Sequence, residues 1–248
     1  MDYIKDLIYV SKKSLNKTTK SLKKSWPIIF IGLVYGAISI IVSGVLNLLL
    51  MGPLGILSGI ISILITSSLF SNYLYLLTNV IKYGKVDFDD FKNGFTVYLR
   101  KIYSVIFIIY LAQLLLSLTT SMLGLLGATL TTLVTFGAFI LLNALPETIY
   151  QKYYGPVDTI SYAFSFLTEN VINWVLPNLI YFAILYILLP NILNLTLILS
   201  YRILPGITEI LAFLIGQLVF NFGMVYRGHL FELLSTSTKR KREYMKKF

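Results

Sequence analysis

The chain has 248 residues, of which 56% are hydrophobic and 13% are charged, and its mean hydropathy is +0.77. This composition excludes a soluble globular domain and predicts an integral membrane protein. The chain has no cysteine, so no disulfide, thiolate metal site or cysteine nucleophile is available. The net charge of +10 comes without a nucleic-acid recognition motif. We therefore expect no nucleic-acid partner and attribute the charge to membrane orientation and anionic lipid.

The first 24 residues carry seven lysines and are predicted to form a basic amphipathic helix. Ile4, Ile8, Leu15 and Leu22 form its apolar stripe, which is typical of a helix lying in the headgroup plane. The charged region runs to Lys24, and the apolar segment after it has no small-residue cleavage site. We therefore expect that segment to remain attached as the first membrane span.

Long runs without charged residues predict the spans, since about 20 residues cross a hydrocarbon core of about 30 Å. Two runs, Ser25 to Ile81 and Ile102 to Pro146, are long enough for two spans each. The second of these is expected to turn near Gly124 to Gly127. Two later runs provide one span each, and the second of these contains a single charged residue, Glu209. The six predicted spans are about 26–50, 55–80, 102–123, 128–147, 174–199 and 206–227.

Two short polar segments between spans, at about 87–100 and 158–171, are predicted to be interfacial amphipathic helices. Asp87 and Asp158 are the expected N-caps of these helices. Each segment has an apolar stripe at helical spacing. The first stripe is Phe88, Phe91, Phe95 and Tyr98, and the second is Ile160, Phe164, Leu167 and Val171.

The predicted fold class is an all-α, polytopic membrane protein with six transmembrane helices in one domain. The order of an interfacial helix followed by two spans occurs three times, which predicts three parallel hairpin repeats. In this arrangement 20 of the 21 basic residues lie on one side, so both termini are expected in the cytoplasm. Residues 228–248 are predicted to be a basic cytoplasmic tail. The residue composition favours a bacterial cytoplasmic membrane.

Aromatic and basic residues are the candidates for contact with the lipid interface. Trp26 and Trp174, at the start of two spans, are expected to be interface anchors. The basic tail would attract an anionic leaflet. The predicted lipid-interface residues are Phe88, Phe91, Phe95, Tyr98, Trp26, Trp174, Lys239, Arg240, Lys241 and Arg242.

Polar residues inside predicted spans are the candidates for a functional site, because burying them in hydrocarbon is costly. They could line a polar path or a headgroup cavity. They could equally hold helices together by hydrogen bonds of about 0.6 kcal/mol each. The candidate polar intramembrane face is Glu209, Gln217, Asn221, Asn143, Glu147 and Gln113.

The sequence has no set of residues that points to an enzyme. His229 is the only histidine, and it follows the last predicted span closely. The acidic residues Asp87, Asp89 and Asp90 are explained by the helix dipole. We therefore predict no catalytic residues, no metal site and no cofactor.

Three short motifs carry a family resemblance. They are Ala144 to Pro146 at the end of the fourth span, Gly155 to Tyr162, and the residues Ser165, Thr168 and Asn170. With these motifs the chain resembles a group of bacterial six-helix membrane proteins, typified by the membrane domain fused to some glycerophosphodiester phosphodiesterases. The resemblance implies a six-helix membrane domain. The chain contains no phosphodiesterase catalytic domain, so that activity is not implied.

Two functions are compatible with these features. The first is a non-enzymatic scaffold or accessory subunit that engages membrane lipids or partner proteins at the inner leaflet. The alternative is a transporter or permease subunit for a small or amphiphilic substrate, including export of, or immunity against, membrane-active peptides. No Walker A motif is present, so an ATP-driven version would need a separate ATPase subunit.

Overall fold

The computed structural model describes residues 3–49, 55–200 and 207–245, and every regular element in these ranges is a helix. The helices, in chain order, are α1 (Tyr3–Lys24), a 3-10 helix (Trp26–Phe30), α2 (Ile31–Leu49), α3 (Gly55–Tyr83), α4 (Phe88–Val97), α5 (Leu99–Leu123), α6 (Leu125–Leu141), α7 (Leu145–Gln151), α8 (Pro156–Ser200), α9 (Ile207–Thr236) and α10 (Lys239–Met245).

The predicted helical membrane architecture is confirmed at this level. Among the described residues, five helices are long and apolar enough to cross a membrane. The count becomes six if α6 and α7, which meet at a bend of 42°, form one broken span. This bend lies in the predicted span 128–147. The residues between the first two predicted spans, 51–54, lie outside the described residues.

Local sequence signals set most helix ends. Gly124 has a φ of 56°, a backbone angle that glycine adopts readily, and it separates α5 from α6 as predicted. Asp87 is the N-cap of α4, and its N–H donates to Asp90 Oδ2 at 2.8 Å in a capping box. The prediction for Asp158 is wrong, because α8 begins two residues earlier, at Pro156. Proline has the φ of a first helical residue, so it starts the helix and leaves Asp158 in the first turn.

The chain divides into two compact units. The first contains Met1–Val42, Asn79–Val86 and Val171–Phe248, and the second contains Ser43–Thr78 and Asp87–Asn170. The long helix α8 has non-helical backbone angles at Asn170, where one unit gives way to the other. The predicted interfacial segment 158–171 and span 174–199 are therefore parts of one helix with a kink between them.

In the first unit, α1 packs along α9, and it does so with an unexpected face. Its buried residues are Asp6, Val10, Ser14 and Thr18, which recur every fourth position. Most of these side chains are short and polar. The stripe predicted from apolarity instead remains at the surface, with Ile4 63% and Ile8 59% exposed.

In the second unit, α4 is attached to α3 through its backbone. Ser68, Ser71 and Asn72 of α3 donate to the carbonyls of Phe95, Gly94 and Phe91 at 3.0, 2.9 and 2.5 Å. Gly94 is buried at this contact, and a Cβ there would lie 2.8 Å from Asn72 Nδ2. The segment predicted as an interfacial helix is therefore held against a neighbouring helix of its own chain.

Candidate functional site

Among the described residues of the first unit, a buried charged contact joins α1 to α10. Arg242 of α10 donates from Nη2 to Asp6 Oδ2 at 2.7 Å and from Nε to Oδ1 at 3.0 Å. Both residues are at most 3% exposed. Asn173 of α8 donates to the same carboxylate at 2.8 Å. This bidentate pair with its amide partner fixes α1 to both α8 and α10.

The charge state of Asp6 follows from these partners. Burial alone would raise its pKa, but hydrogen bonds from Arg242 and Asn173 and the positive charges of Arg242 and Lys239 outweigh it, so the pKa lies below the ordinary value. Lys239 also places its Nζ 3.5 Å from the centre of the Tyr3 ring. The start of α1 and the start of α10 are thus joined by two cationic contacts.

A second polar contact joins the end of α1 to α9. Ser21 Oγ lies 3.0 Å from His229 Nε2, and Lys17 Nζ lies 2.9 Å from Glu232 Oε2. His229 Nδ1 is 3.6 Å from the same glutamate oxygen, beyond hydrogen-bond distance. The order serine, histidine, glutamate is that of a nucleophile, base and carboxylate. Here the serine belongs to a helix packed on α9 and the glutamate is also paired with Lys17, so the contacts join α1 to α9.

A buried arginine lies on α9, two residues before His229. Arg227 is 3% exposed, donates to Asn178 Oδ1 at 2.8 Å and lies 5.1 Å from the Trp174 ring. Trp174 is fully buried and packs edge-to-face against Phe231. The predicted interface roles of Trp174 and Arg242 are therefore wrong. Their large side chains find partners inside the protein, which bury them more completely than an interface would.

Other predicted interface residues do reach the surface. Trp26 is 60% exposed and Phe88 is 72% exposed, while Arg240 and Lys241 are also exposed. Phe91 and Phe95 are half-buried and pack edge-to-face at 5.2 Å. Tyr98 is half-buried, with its hydroxyl 3.0 Å from that of Thr78. The stripe on α4 therefore has one exposed aromatic residue, at its start.

The outward face of α1 combines apolar and basic side chains. Ile4, Ile8 and Leu15 are exposed along one line of the helix. With a turn of about 100° per residue, the exposed Lys5, Lys12 and Lys23 fall on the next line. A surface of this kind suits a headgroup boundary, where the apolar line meets acyl chains and the cations meet phosphates. We call these residues the α1 outer face.

Beside this face, an apolar groove of about 340 Å³ lies between α1, α8 and α9. Its wall at α9 depends on Gly223, because a Cβ there would overlap the ring of Tyr181. The Tyr181 hydroxyl donates to the Phe220 carbonyl at 3.1 Å, which holds α8 against α9. The groove is lined by Leu7, Ser11, Leu15, Leu176, Pro177, Ile180, Tyr181, Ile184, Val219, Phe222, Gly223 and Tyr226.

The predicted polar intramembrane residues are distributed between the two units. In the first, Asn221 donates to the carbonyls of Gln217 and Ile29 at 2.8 and 3.5 Å. Gln217 packs so closely on Gly32 that a Cβ on that glycine would overlap its amide. These contacts resemble helix packing more than the lining of a path.

The remaining polar candidates have different surroundings. In the second unit Glu147 is fully buried, Asn143 is half-buried and Gln113 is exposed. Glu209 belongs to α9, but its side chain is outside the described part of the structure. Within the described residues, no three histidine or acidic side chains are grouped as metal ligands would be.

The helices define a class: the chain is a multi-pass, all-helical membrane protein. Comparison with protein-family models, curated proteins and solved structures found no match.

Sequence reasoning missed the residues that hold the first unit together. Asp6 and Asn173 were not among its candidates, although each carries a local signal. Asp6 is the single acid of the lysine-rich helix α1, and Asn173 directly precedes Trp174. Helical periodicity relates residues a few positions apart, so it cannot predict the pairing of Asp6 with Arg242, 236 positions away.

Proposed function

We propose that this protein is a non-enzymatic membrane scaffold or accessory subunit whose terminal helices engage anionic lipid, or a protein partner, at the inner leaflet. The observation that carries the proposal is the orientation of α1. Its polar residues Asp6, Ser14 and Thr18 are buried against the protein, while Ile4 and Ile8 remain outside next to lysines. A helix that only completed a protein core would bury the opposite face.

The contacts of α1 also support a fixed platform rather than a loose tail. The Asp6–Arg242 pair and the Ser21–His229 contact lie near its two ends. Because the inner face is fixed at both ends, the outer face keeps one orientation. Held in this way, three lysines would each gain up to about 1 kcal/mol near an anionic leaflet.

The finer architecture is part of the same proposal. The element order supports three repeats, each made of one interfacial helix and two spans. The first repeat is α1 to α3 and the second is α4 to α6. In the third, the first part of α8 is the interfacial helix, and its second part and α9 are the spans. Three parallel repeats with both termini in the bacterial cytoplasm would place α1 and α10 on the lysine-rich inner side. The anionic lipids of that leaflet are then the nearest ligands.

The lipid preference of the reconstituted protein tests this function. Electron paramagnetic resonance of spin-labelled lipids would compare anionic phosphatidylglycerol with zwitterionic phosphatidylcholine around the full chain. We expect a several-fold preference for the anionic lipid, reduced in the Lys5→Gln/Lys12→Gln/Lys23→Gln variant. The matched Lys→Arg triple keeps the charge and should keep the preference. An unchanged preference in the glutamine variant would contradict the proposal.

A further inference from the structure

The groove beside α1 is open on the side of the α8 wall. Leu176, Ile180 and Ile184 line it and yet are 46%, 62% and 45% exposed. They belong to the candidate span Pro156–Ile187, so in a bilayer the open side would face hydrocarbon. A cavity of this kind can be filled laterally by an apolar chain.

Polar groups of the groove are few. Apart from Tyr181, whose hydroxyl bonds a carbonyl of α9, the lining offers only the hydroxyls of Ser11 and Tyr226. Ser11 belongs to α1 and Tyr226 to α9, so the two hydroxyls come from different walls of the groove. Lys12 follows Ser11 in sequence and is exposed on the outer side of the same helix. The groove thus offers an apolar lining with two hydroxyls, and a cation lies on the residue after Ser11. These are the groups that the acyl chain, the glycerol backbone and the phosphate of a phospholipid would contact.

We propose that the groove is a specific site for one acyl chain of an anionic phospholipid, whose phosphate is bound near Lys12. This inference rests on the proposed function, because it requires α1 to lie at the headgroup boundary. It goes further by naming a single bound lipid, distinct from the mobile lipids around the protein. Charge complementarity favours an anionic lipid in the groove over a second copy of this chain, because two copies of a basic chain would bring like charges together.

Native mass spectrometry of the full chain tests the site. The protein would be reconstituted with equal amounts of phosphatidylglycerol and phosphatidylcholine and extracted in a mild detergent. The structure offers a matched pair of substitutions on α8: Ile180 lines the groove and is 62% exposed, whereas the adjacent Leu179 is 63% exposed and does not line it. Ile180→Trp fills the groove with an indole ring, and Leu179→Trp places the same ring elsewhere on the helix.

We expect the wild type and Leu179→Trp to retain one phosphatidylglycerol and Ile180→Trp to lose it at least several-fold. Lys12→Gln should bring the ratio of retained phosphatidylglycerol to phosphatidylcholine towards one, while Lys20→Gln, on the far side of α1, should not. Equal retention by the two tryptophan variants would overturn the site, as would a dimer that Ile180→Trp dissociates.

The two proposals fail separately. Loss of anionic preference in the lysine triple, with no effect of Ile180→Trp, would reject the groove site and leave the platform. Loss of the retained lipid in Ile180→Trp, with no effect of the lysine triple, would keep an acyl-chain site in the groove but reject both the platform and the phosphate contact at Lys12.

Discussion

Replacing Asp6 by alanine is expected to lower the free energy of unfolding by about 3–5 kcal/mol, because it leaves the Arg242 guanidinium buried without its carboxylate. Reversible unfolding in mixed micelles would measure the loss. Hydrogen exchange of α10 should rise in the same variant, since the pair fixes that helix to α1. Glu169→Ala is the control, because this exposed acid should change stability by no more than about 0.5 kcal/mol.

A double variant and a pH series sharpen this test. Asp6→Leu/Arg242→Met removes both charges and should recover most of the loss. The folded pKa of Asp6 is depressed, so its contribution is fully present above the unfolded pKa of about 3.9 and is lost as the pH falls through the lower folded value. The difference between wild type and Asp6→Asn should therefore be constant from neutral pH to about pH 5 and shrink below about pH 4. A large loss in the double variant would show that the pair is not the cause.

Gly127→Ala is expected to destabilise the hairpin of α5 and α6 by about 1–3 kcal/mol through overpacking. A Cβ at this position would overlap the Thr119 carbonyl oxygen and lie 2.7 Å from Thr120 Cα. Both are backbone atoms, so a change of side-chain rotamer cannot relieve the overlap. The hydrogen bond between the Thr120 and Thr131 hydroxyls, at 2.7 Å, should be disturbed as the helices separate.

Gly137→Ala provides the matched control on the same helix. Nothing lies within 4 Å of a Cβ at Gly137, so alanine there should be neutral or gain up to about 1 kcal/mol from helix propensity. Thermal unfolding of both variants in one detergent would separate packing from propensity. Equal effects of the two substitutions would contradict the close approach of α5 and α6.

The membrane helices could be predicted because their signals are local. Runs without charge identified the segments that form α2, α3, α5, α6, α8 and α9. Gly124 and Asp87 marked helix ends through backbone conformation and capping. Each of these signals requires only neighbouring residues, so the sequence alone was sufficient.

The candidate site could not be predicted in the same way, because its contacts join distant parts of the chain. Apolar periodicity gave the correct helix for α1 but not the face that packs on α9, since short polar side chains approach a neighbour closely. The last predicted span was expected to end at residue 227, whereas α9 continues to Thr236. Most of the described part of the predicted tail is therefore helical, in α9 and α10, and Arg242 in it is buried.

The depth of α1 in the membrane would decide whether its outer face lies at the headgroup boundary. Because the chain has no native cysteine, spin labels at Ile8→Cys and Lys20→Cys report single positions. In anionic nanodiscs, the label at position 8 should collide with oxygen and be shielded from a water-soluble nickel complex, and the label at position 20 should show the reverse. Equal exposure of both labels to the nickel complex would place α1 in water and contradict the platform.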